Sequence, residues 1–255
     1  MEARVTGPSD YALFLDFDGT LVEIAPRPDQ VRVAPELAPA LERLRGRLGG
    51  ALAVVTGRPV AVIDEFLAPA RFDVAGLHGV ELRVDGFQAG GRPEDHPSLR
   101  ARVGQLQALV ADLDAVLIED KGASVAVHWR LATPSDAARA EAAVRAVAAE
   151  LAGEYRLQLG KAVGEIVPAA ATKGHAIRAL MQRPPYAGRR AVFLGDDRTD
   201  ELAFEAVNQD GGLSIRVGPG ETVAPRRLSD PEAVRTLLYA WAETGAFDPS
   251  ALPPA

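Results

Sequence analysis

Two series of short apolar runs, one near each end of the chain, set the strongest limit on what this sequence can fold into. Residues 11–17 (YALFLDF), 51–55 (ALAVV) and 72–76 (FDVAG) form the first series; 190–197 (RAVFLGDD) and 213–218 (LSIRVG) form the second. An apolar run of roughly four to eight residues, bounded by turn signals, reads as a buried strand. Helical spacing fills the gaps between them. Leu37, Leu41, Leu44 and Leu48 recur on one face before Gly49-Gly50, and further helices are expected over 59–67, 172–182, 199–207 and 230–243. Strands alternating with helices pair in parallel with helices on both faces. The expected fold class is therefore α/β, with a doubly wound parallel-sheet, Rossmann-like core.

Between the two series the pattern changes. Residues 81–88 (ELRVDGFQ) hold Asp85-Gly86 between extended stretches, a hairpin signal. A helix is expected over 98–113, then strands in AVLIED and ASVAVHW on either side of Lys121-Gly122. Thr133-Pro134 supplies an N-cap and a proline at the first helical position of an Ala-rich helix running to Leu151. Two more strands, YRLQLG and AVGEIV, follow. Two repeats of helix plus paired strands describe an α+β domain with antiparallel pairing. The expected organisation is a core of residues 1–79 and 168–255, interrupted by an inserted domain of 80–167, with a loose tail from Phe247.

Charge and composition exclude several classes of function. A net charge of −7 and a pI near 5.2 argue against nucleic acid or an anionic membrane as a partner. The absence of cysteine rules out disulfides and thiolate zinc sites. No apolar run approaches the ~18 residues of a membrane span, and the first residues lack the basic start and apolar core of a leader. A cytoplasmic, monomeric protein is expected. Of the 28 basic residues only Lys121, Lys161 and Lys173 are lysine. An ammonium is a compact point charge where guanidinium is a broad fork, so Lys121 and Lys173 stand out as functional candidates, and Lys161 less so.

The candidate chemistry lies at strand ends. Asp16 and Asp18 close the first apolar run, where open α/β sheets bind ligands, and i, i+2 spacing turns both carboxylates to one side. The same Asp-Gly-Thr also suits a plain surface turn. Asp196, Asp197, Asp200 and Glu201 crowd the end of the later run VFLG. A hard cation such as magnesium would gather such oxygens, although an acid-rich helix start accounts equally for Asp200 and Glu201. Thr56-Gly57-Arg58-Pro59 follows the second run and opens a helix, so Thr56 offers a hydroxyl and Gly57 an unobstructed N–H at a helix start, together an anion-binding corner. Lys173 opens another helix, where its ammonium can neutralise phosphoryl charge.

Taken in chain order, the four elements resemble motifs I to IV of the haloacid dehalogenase superfamily across residues 12–217, with Asp16 and Asp18 in motif I, Thr56 in motif II, Lys173 in motif III and Asp196, Asp197 and Asp200 in motif IV. The insert resembles that superfamily's C2-type cap. Gly76-Leu77-His78-Gly79, Glu119-Asp120-Lys121-Gly122, Val127-His128-Trp129-Arg130, Gly164-Glu165-Ile166-Val167-Pro168 and Gly195-Asp196-Asp197-Arg198-Thr199-Asp200-Glu201 resemble the trehalose-6-phosphate phosphatases within it. Phe17 and Thr56 stand where that family often has Tyr and Ser, and both substitutions keep the ring or the hydroxyl. The resemblance implies a magnesium-dependent phosphatase acting on a small-molecule sugar phosphate, trehalose 6-phosphate. Asp16 would be its nucleophile and Asp18 its general acid and base. Mg2+ would be held by Asp16, the Asp18 carbonyl and Asp196, with Asp197 and Asp200 orienting them. Thr56, Gly57 and Lys173 would hold the phosphoryl oxygens. Lys121, Arg130 and Glu165 would contact the sugar, with His78 and His128 behind them, while His96 and His175 are expected as surface residues. His128 also reads as a structural histidine, and Glu165 as an edge charge that discourages strand pairing.

The alternatives are a related capped phosphatase for sucrose 6-phosphate or mannosyl-3-phosphoglycerate, a phosphomutase, and a phosphoacceptor signalling domain. The last needs neither Asp18 nor the insert.

Overall fold

Every side chain of the first strand is buried, so it must be covered on both faces. In the computed structural model, which describes residues 7–255, that requirement sets the layering. In chain order the first elements are β1 (Tyr11–Leu15), α1 (Leu37–Arg47), β2 (Leu52–Val55), α2 (Val60–Phe66), β3 (Asp73–Gly76), β4 (Glu81–Val84) and β5 (Phe87–Ala89). Then come α3 (Pro97–Val110), β6 (Leu117–Asp120), β7 (Val125–His128), α4 (Pro134–Glu150), β8 (Tyr155–Gly160) and β9 (Val163–Pro168). The chain closes with α5 (Lys173–Met181), β10 (Arg190–Gly195), α6 (Arg198–Gln209), β11 (Leu213–Val217), β12 (Arg226–Leu228) and α7 (Pro231–Thr244).

The chain divides into two compact units, residues up to 88 with 172–255, and residues 89–171. The larger unit holds a sheet in the order β12-β11-β10-β1-β2-β3-β4-β5, parallel from β12 to β3. Side chains alternate across β1. Tyr11, Leu13 and Leu15 enter one core with Leu37, Leu41 and Leu44 of α1 and Val234, Leu238 and Trp241 of α7. Ala12 and Phe14 enter the other, with Ile177 and Leu180 of α5 and Phe204 and Val207 of α6. This is the expected doubly wound core.

Two expectations differ from what is seen. The 81–88 hairpin was expected to open the insert, but β4 pairs antiparallel with β3, Ala75 opposite Leu82. The pairing satisfies a sheet edge that would otherwise be bare, and the smaller unit begins at residue 89 instead of 80. The tail is docked, not loose. Phe247 is buried, with its ring 4.4 Å from Trp241 and 5.2 Å from Tyr11, and Arg227 N–H donates to the Pro253 carbonyl. Phe247→Ala should therefore cost about 3–5 kcal/mol, as removing a buried ring does. An unaltered midpoint of thermal unfolding in that variant would show that the tail adds nothing.

The smaller unit is an antiparallel sheet, β6-β7-β9-β8, backed on one face by α3 and α4. Val125 and Val127 of β7 and Ile166 of β9 join Leu99, Leu106 and Val144 in that core. Gly164 is small because a Cβ there would lie 2.8 Å from the Val144 methyl. Among the described residues no helix is long and apolar enough to cross a membrane. The expected lack of a leader falls partly on residues 1–6, which lie outside the described residues.

Candidate active site

The first strand series runs outward from β1 through β2 to β3, the second from β10 through β11 to β12 on the other side. Strand order therefore reverses between β1 and β10, and a crevice opens at their carboxyl ends. Asp16 follows β1 and Asp196 follows β10, so parallel pairing alone brings two aspartates distant in sequence to that point. The Asp16 N–H donates to the Leu194 carbonyl at 3.0 Å, extending the ladder by one residue. Gly19 lets the motif I loop close over it. Its φ is +79°, and a Cβ there would fall 2.2 Å from Oδ2 of Asp196.

Lys173, the first residue of α5, ties the cluster together. Its Nζ lies 2.7 Å from Oδ1 of Asp16 and 2.7 Å from Oδ1 of Asp200, and all three side chains are buried. The other Asp200 oxygen accepts the backbone N–H of Asp196 at 3.0 Å and of Asp197 at 3.1 Å. Asp200 is thus fully engaged in orienting the loop after β10. Asp197 is the N-cap of α6, with Oδ1 accepting from Arg198 N–H at 2.7 Å. Ligand oxygens of Asp16, Asp196 and Asp200 come within 4.8 Å of one another.

The electrostatics are unbalanced by design of the cluster. Burial pushes the Asp16 carboxyl well above the ordinary carboxylate range; Asp200 and Asp196 push the same way, against Lys173. Burial would strip the proton from Lys173, but Asp16 and Asp200 outweigh it and hold the ammonium above the ordinary lysine value. One ammonium faces three buried carboxylates. A hard divalent cation fits that all-oxygen donor set and would supply the missing charge.

Thr56 and Gly57 follow β2, the neighbour of β1. The Thr56 N–H donates to the Ala75 carbonyl and its own carbonyl accepts from His78 N–H, both at 2.9 Å. Because α2 begins at Val60, Gly57 lies in the loop ahead of that helix and not at its start. His78 lies in this same larger unit, in a left-handed turn (φ +58°), and its imidazole covers Gly57: a Cβ on Gly57 would be 2.7 Å from Nε2. Expected behind the sugar contacts of the insert, it lies in the larger unit, directly over Gly57. The Asp18 carboxylate lies on Arg58, with Nε to Oδ2 at 2.6 Å and Nη2 to Oδ1 at 2.7 Å.

In the smaller unit, the face away from α3 and α4 carries a polar row. Strand register sets Glu119 opposite Ala126, Ala126 opposite Glu165, and Glu165 opposite Gln158. Oε1 of Glu165 accepts from Lys121 Nζ at 3.1 Å and from the Ser124 hydroxyl at 2.6 Å, with both charged side chains buried. Glu165 is therefore on a central strand, which removes the edge-charge reading. His128 Nε2 is 2.8 Å from Glu119. Glu119 is held below the usual carboxylate range: burial opposes this, but the His128 hydrogen bond and Lys121 prevail. Arg130 lies at the opposite end of β7 from Lys121, exposed, donating to the Lys161 carbonyl at 2.7 Å. Of the histidines expected at the surface, His175 is exposed, whereas His96 is half-buried, 2.9 Å from the Tyr155 hydroxyl.

Sequence reasoning passed over Arg58 and Ser124. Arg58 is one of 25 arginines and nothing local marks it. Ser124 had a signal, as a hydroxyl inside an otherwise apolar strand run.

The trehalose-phosphatase family model matches residues 14–232. A probable trehalose-phosphate phosphatase of Sinorhizobium fredii is 44% identical over 246 residues, 95% of this chain and 91% of the relative. The trehalose-6-phosphate phosphatase of Escherichia coli is 40% identical over 220 residues, 86% and 82% of the two chains. The crystal structure of a trehalose-6-phosphate phosphatase related protein superposes with a TM-score of 0.79 at 28% identity, covering 92% of this chain and 98% of that one.

Proposed function

The chain belongs to the trehalose-phosphatase family and is a phosphoric monoester hydrolase, and from that premise we propose that it cleaves trehalose 6-phosphate through an aspartyl-phosphate on Asp16. The observation that carries the mechanism is the Lys173 bridge between Asp16 and Asp200 at the β1/β10 switch point. It holds one buried carboxylate oxygen in a fixed place and leaves the other for attack.

In the first half-reaction an Asp16 oxygen bonds to phosphorus as the bond from phosphorus to the sugar oxygen breaks, and Asp18 gives that oxygen its proton. In the second, the Asp18 carboxylate takes a proton from water, whose oxygen bonds to phosphorus and frees Asp16. Thr56, Gly57 and Lys173 hold the phosphoryl oxygens in both, so catalysis is mainly positioning and charge neutralisation. Asp16, the Asp18 carbonyl and Asp196 would hold Mg2+, with Asp197 and Asp200 fixing their orientation. When bound, the ion neutralises phosphoryl charge as it develops. His78 supports the phosphate corner. Lys121, Glu165, His128 and Arg130 recognise the sugar hydroxyls through charge-assisted hydrogen bonds, which makes residues 89–171 the specificity unit.

Phosphate release from a panel of sugar phosphates, with magnesium and with chelator, tests this reading. Trehalose 6-phosphate should be the best substrate and chelator should abolish turnover. Glu165→Gln should raise KM for it while leaving an aryl phosphate's kcat near that of the parent. Preference for sucrose 6-phosphate or mannosyl-3-phosphoglycerate would sink the trehalose assignment, and return of phosphate to another sugar position would indicate a mutase. The protein is further proposed to act in the cytoplasm as a monomer, without nucleic-acid or membrane partners; elution at twice its mass would overturn the monomer.

A further inference from the structure

The position of Asp18 is not supported by the sheet. β1 ends at Leu15, and the Asp18 side chain, with 36% of its surface exposed, stands on the turn beyond it. A carboxylate so placed would sample several rotamers unless something held it. Arg58 takes both of its oxygens at 2.6 and 2.7 Å, a fork-to-fork contact that fixes the plane of the carboxylate as well as its distance.

Arg58 is itself held on every side. Its third nitrogen donates to the Pro28 carbonyl at 3.2 Å. Its guanidinium lies 5.1 Å from the ring centre of Phe66 and 5.9 Å from that of Phe17, rings that stack on each other at 5.5 Å. Only 12% of its side chain is exposed. Exposed ion pairs are loose and contribute little; this one is a rigid fork gripping a mobile acid.

The loop that carries Arg58 does not need the pair for its own shape. Backbone bonds from Thr56 to Ala75, His78 to Thr56 and Leu77 to Arg58 hold it, and Glu81 caps the following helix at Val60 N–H, 2.6 Å. The same loop carries Thr56 and Gly57. Arg58 therefore registers the acid–base carboxylate against the phosphate corner across the β1–β2 pairing.

We propose that Arg58 is a positioning residue of the reaction, setting where the Asp18 carboxylate lies and acting through Asp18 alone. The inference rests on the acid–base role given to Asp18 above. A lysine could keep the charge but not the fork, because an ammonium makes a point contact.

A double-mutant cycle tests it. Arg58→Ala and Arg58→Lys are made in the parent and in Asp18→Asn protein, and kcat and KM for trehalose 6-phosphate are measured with magnesium. Arg58→Ala should lower kcat about 100-fold, the cost of a catalytic group misplaced by about an ångström, with KM nearly unchanged and Arg58→Lys little better. In Asp18→Asn protein the same substitutions should cost almost nothing, since effects within one unit are not additive. Added methylguanidinium should restore part of kcat to Arg58→Ala and none to the double variant. Equal losses in both backgrounds, or a loss confined to KM or to thermal stability, would overturn the inference while leaving the Asp18 assignment intact. Full turnover in Asp18→Asn protein would instead overturn that assignment, and the inference with it.

Discussion

Asp16→Asn protein is expected to fold normally and lose turnover by at least about 10⁴-fold, the scale on which deleting a covalent nucleophile acts. The amide keeps the shape of the carboxylate and can still accept a hydrogen bond from Lys173, but it cannot attack phosphorus. Its effect on stability should be small or favourable. Burial, with Asp200 and Asp196 beside it, makes the charged form of Asp16 costly, and a neutral side chain relieves that cost. The parent, quenched in acid during turnover, should carry a phosphoryl group on Asp16, and the variant none. Substantial turnover in freshly purified Asp16→Asn protein, before any deamidation, would rule out covalent catalysis at this residue.

Lys173→Met should have the second-largest effect, on two separable quantities. Without metal, Asp16 and Asp200 lose the ammonium they share, with Asp196 close beside them, and stripping one partner from a buried ion pair costs about 3–5 kcal/mol. Turnover should fall by about 10²–10³, as when one preorganised donor to the developing charge is removed. Magnesium should narrow the deficit in stability, since a ligand that binds only the native state stabilises it and the variant's site is the more negative. Lys173→Arg should recover little, because a planar guanidinium does not fit a site that leaves the native side chain 4% exposed. Equal unfolding temperatures for variant and parent in chelator would show that the bridge has no such role.

Much of the core was legible from local order alone. Apolar runs and helical spacing identify the strands and helices, because side-chain period reports backbone period. Asp16, Thr56, Lys173 and Asp196 were legible because each stands at the end of such an element, and element ends are where an α/β sheet exposes polar groups. The lysine scarcity also separated the three lysines by their surroundings. Lys121 and Lys173 are buried and ion-paired, while Lys161 is exposed.

The remainder depended on contacts between residues far apart in the chain. The docked tail could not be read from FDPSALPPA, since its burial comes from Tyr11 and Trp241. The 81–88 hairpin carries the same turn signal whether it opens an insert or completes a sheet, and only pairing with β3 decides between them. That the His78 ring lies over Gly57 depends likewise on a left-handed turn which its neighbours in sequence do not reveal.

The first aspartate pair shows the division most clearly. The sequence by itself determined that Asp16 and Asp18 follow a buried strand and that a second acidic cluster follows another, since those are properties of neighbouring residues. Only the tertiary structure decided that Asp16 shares Lys173 with Asp200 while Asp18 is gripped by Arg58. Local order states only that the two carboxylates follow one strand; which cation meets each is settled by the elements brought alongside, the start of α5 for Asp16 and the loop after β2 for Asp18.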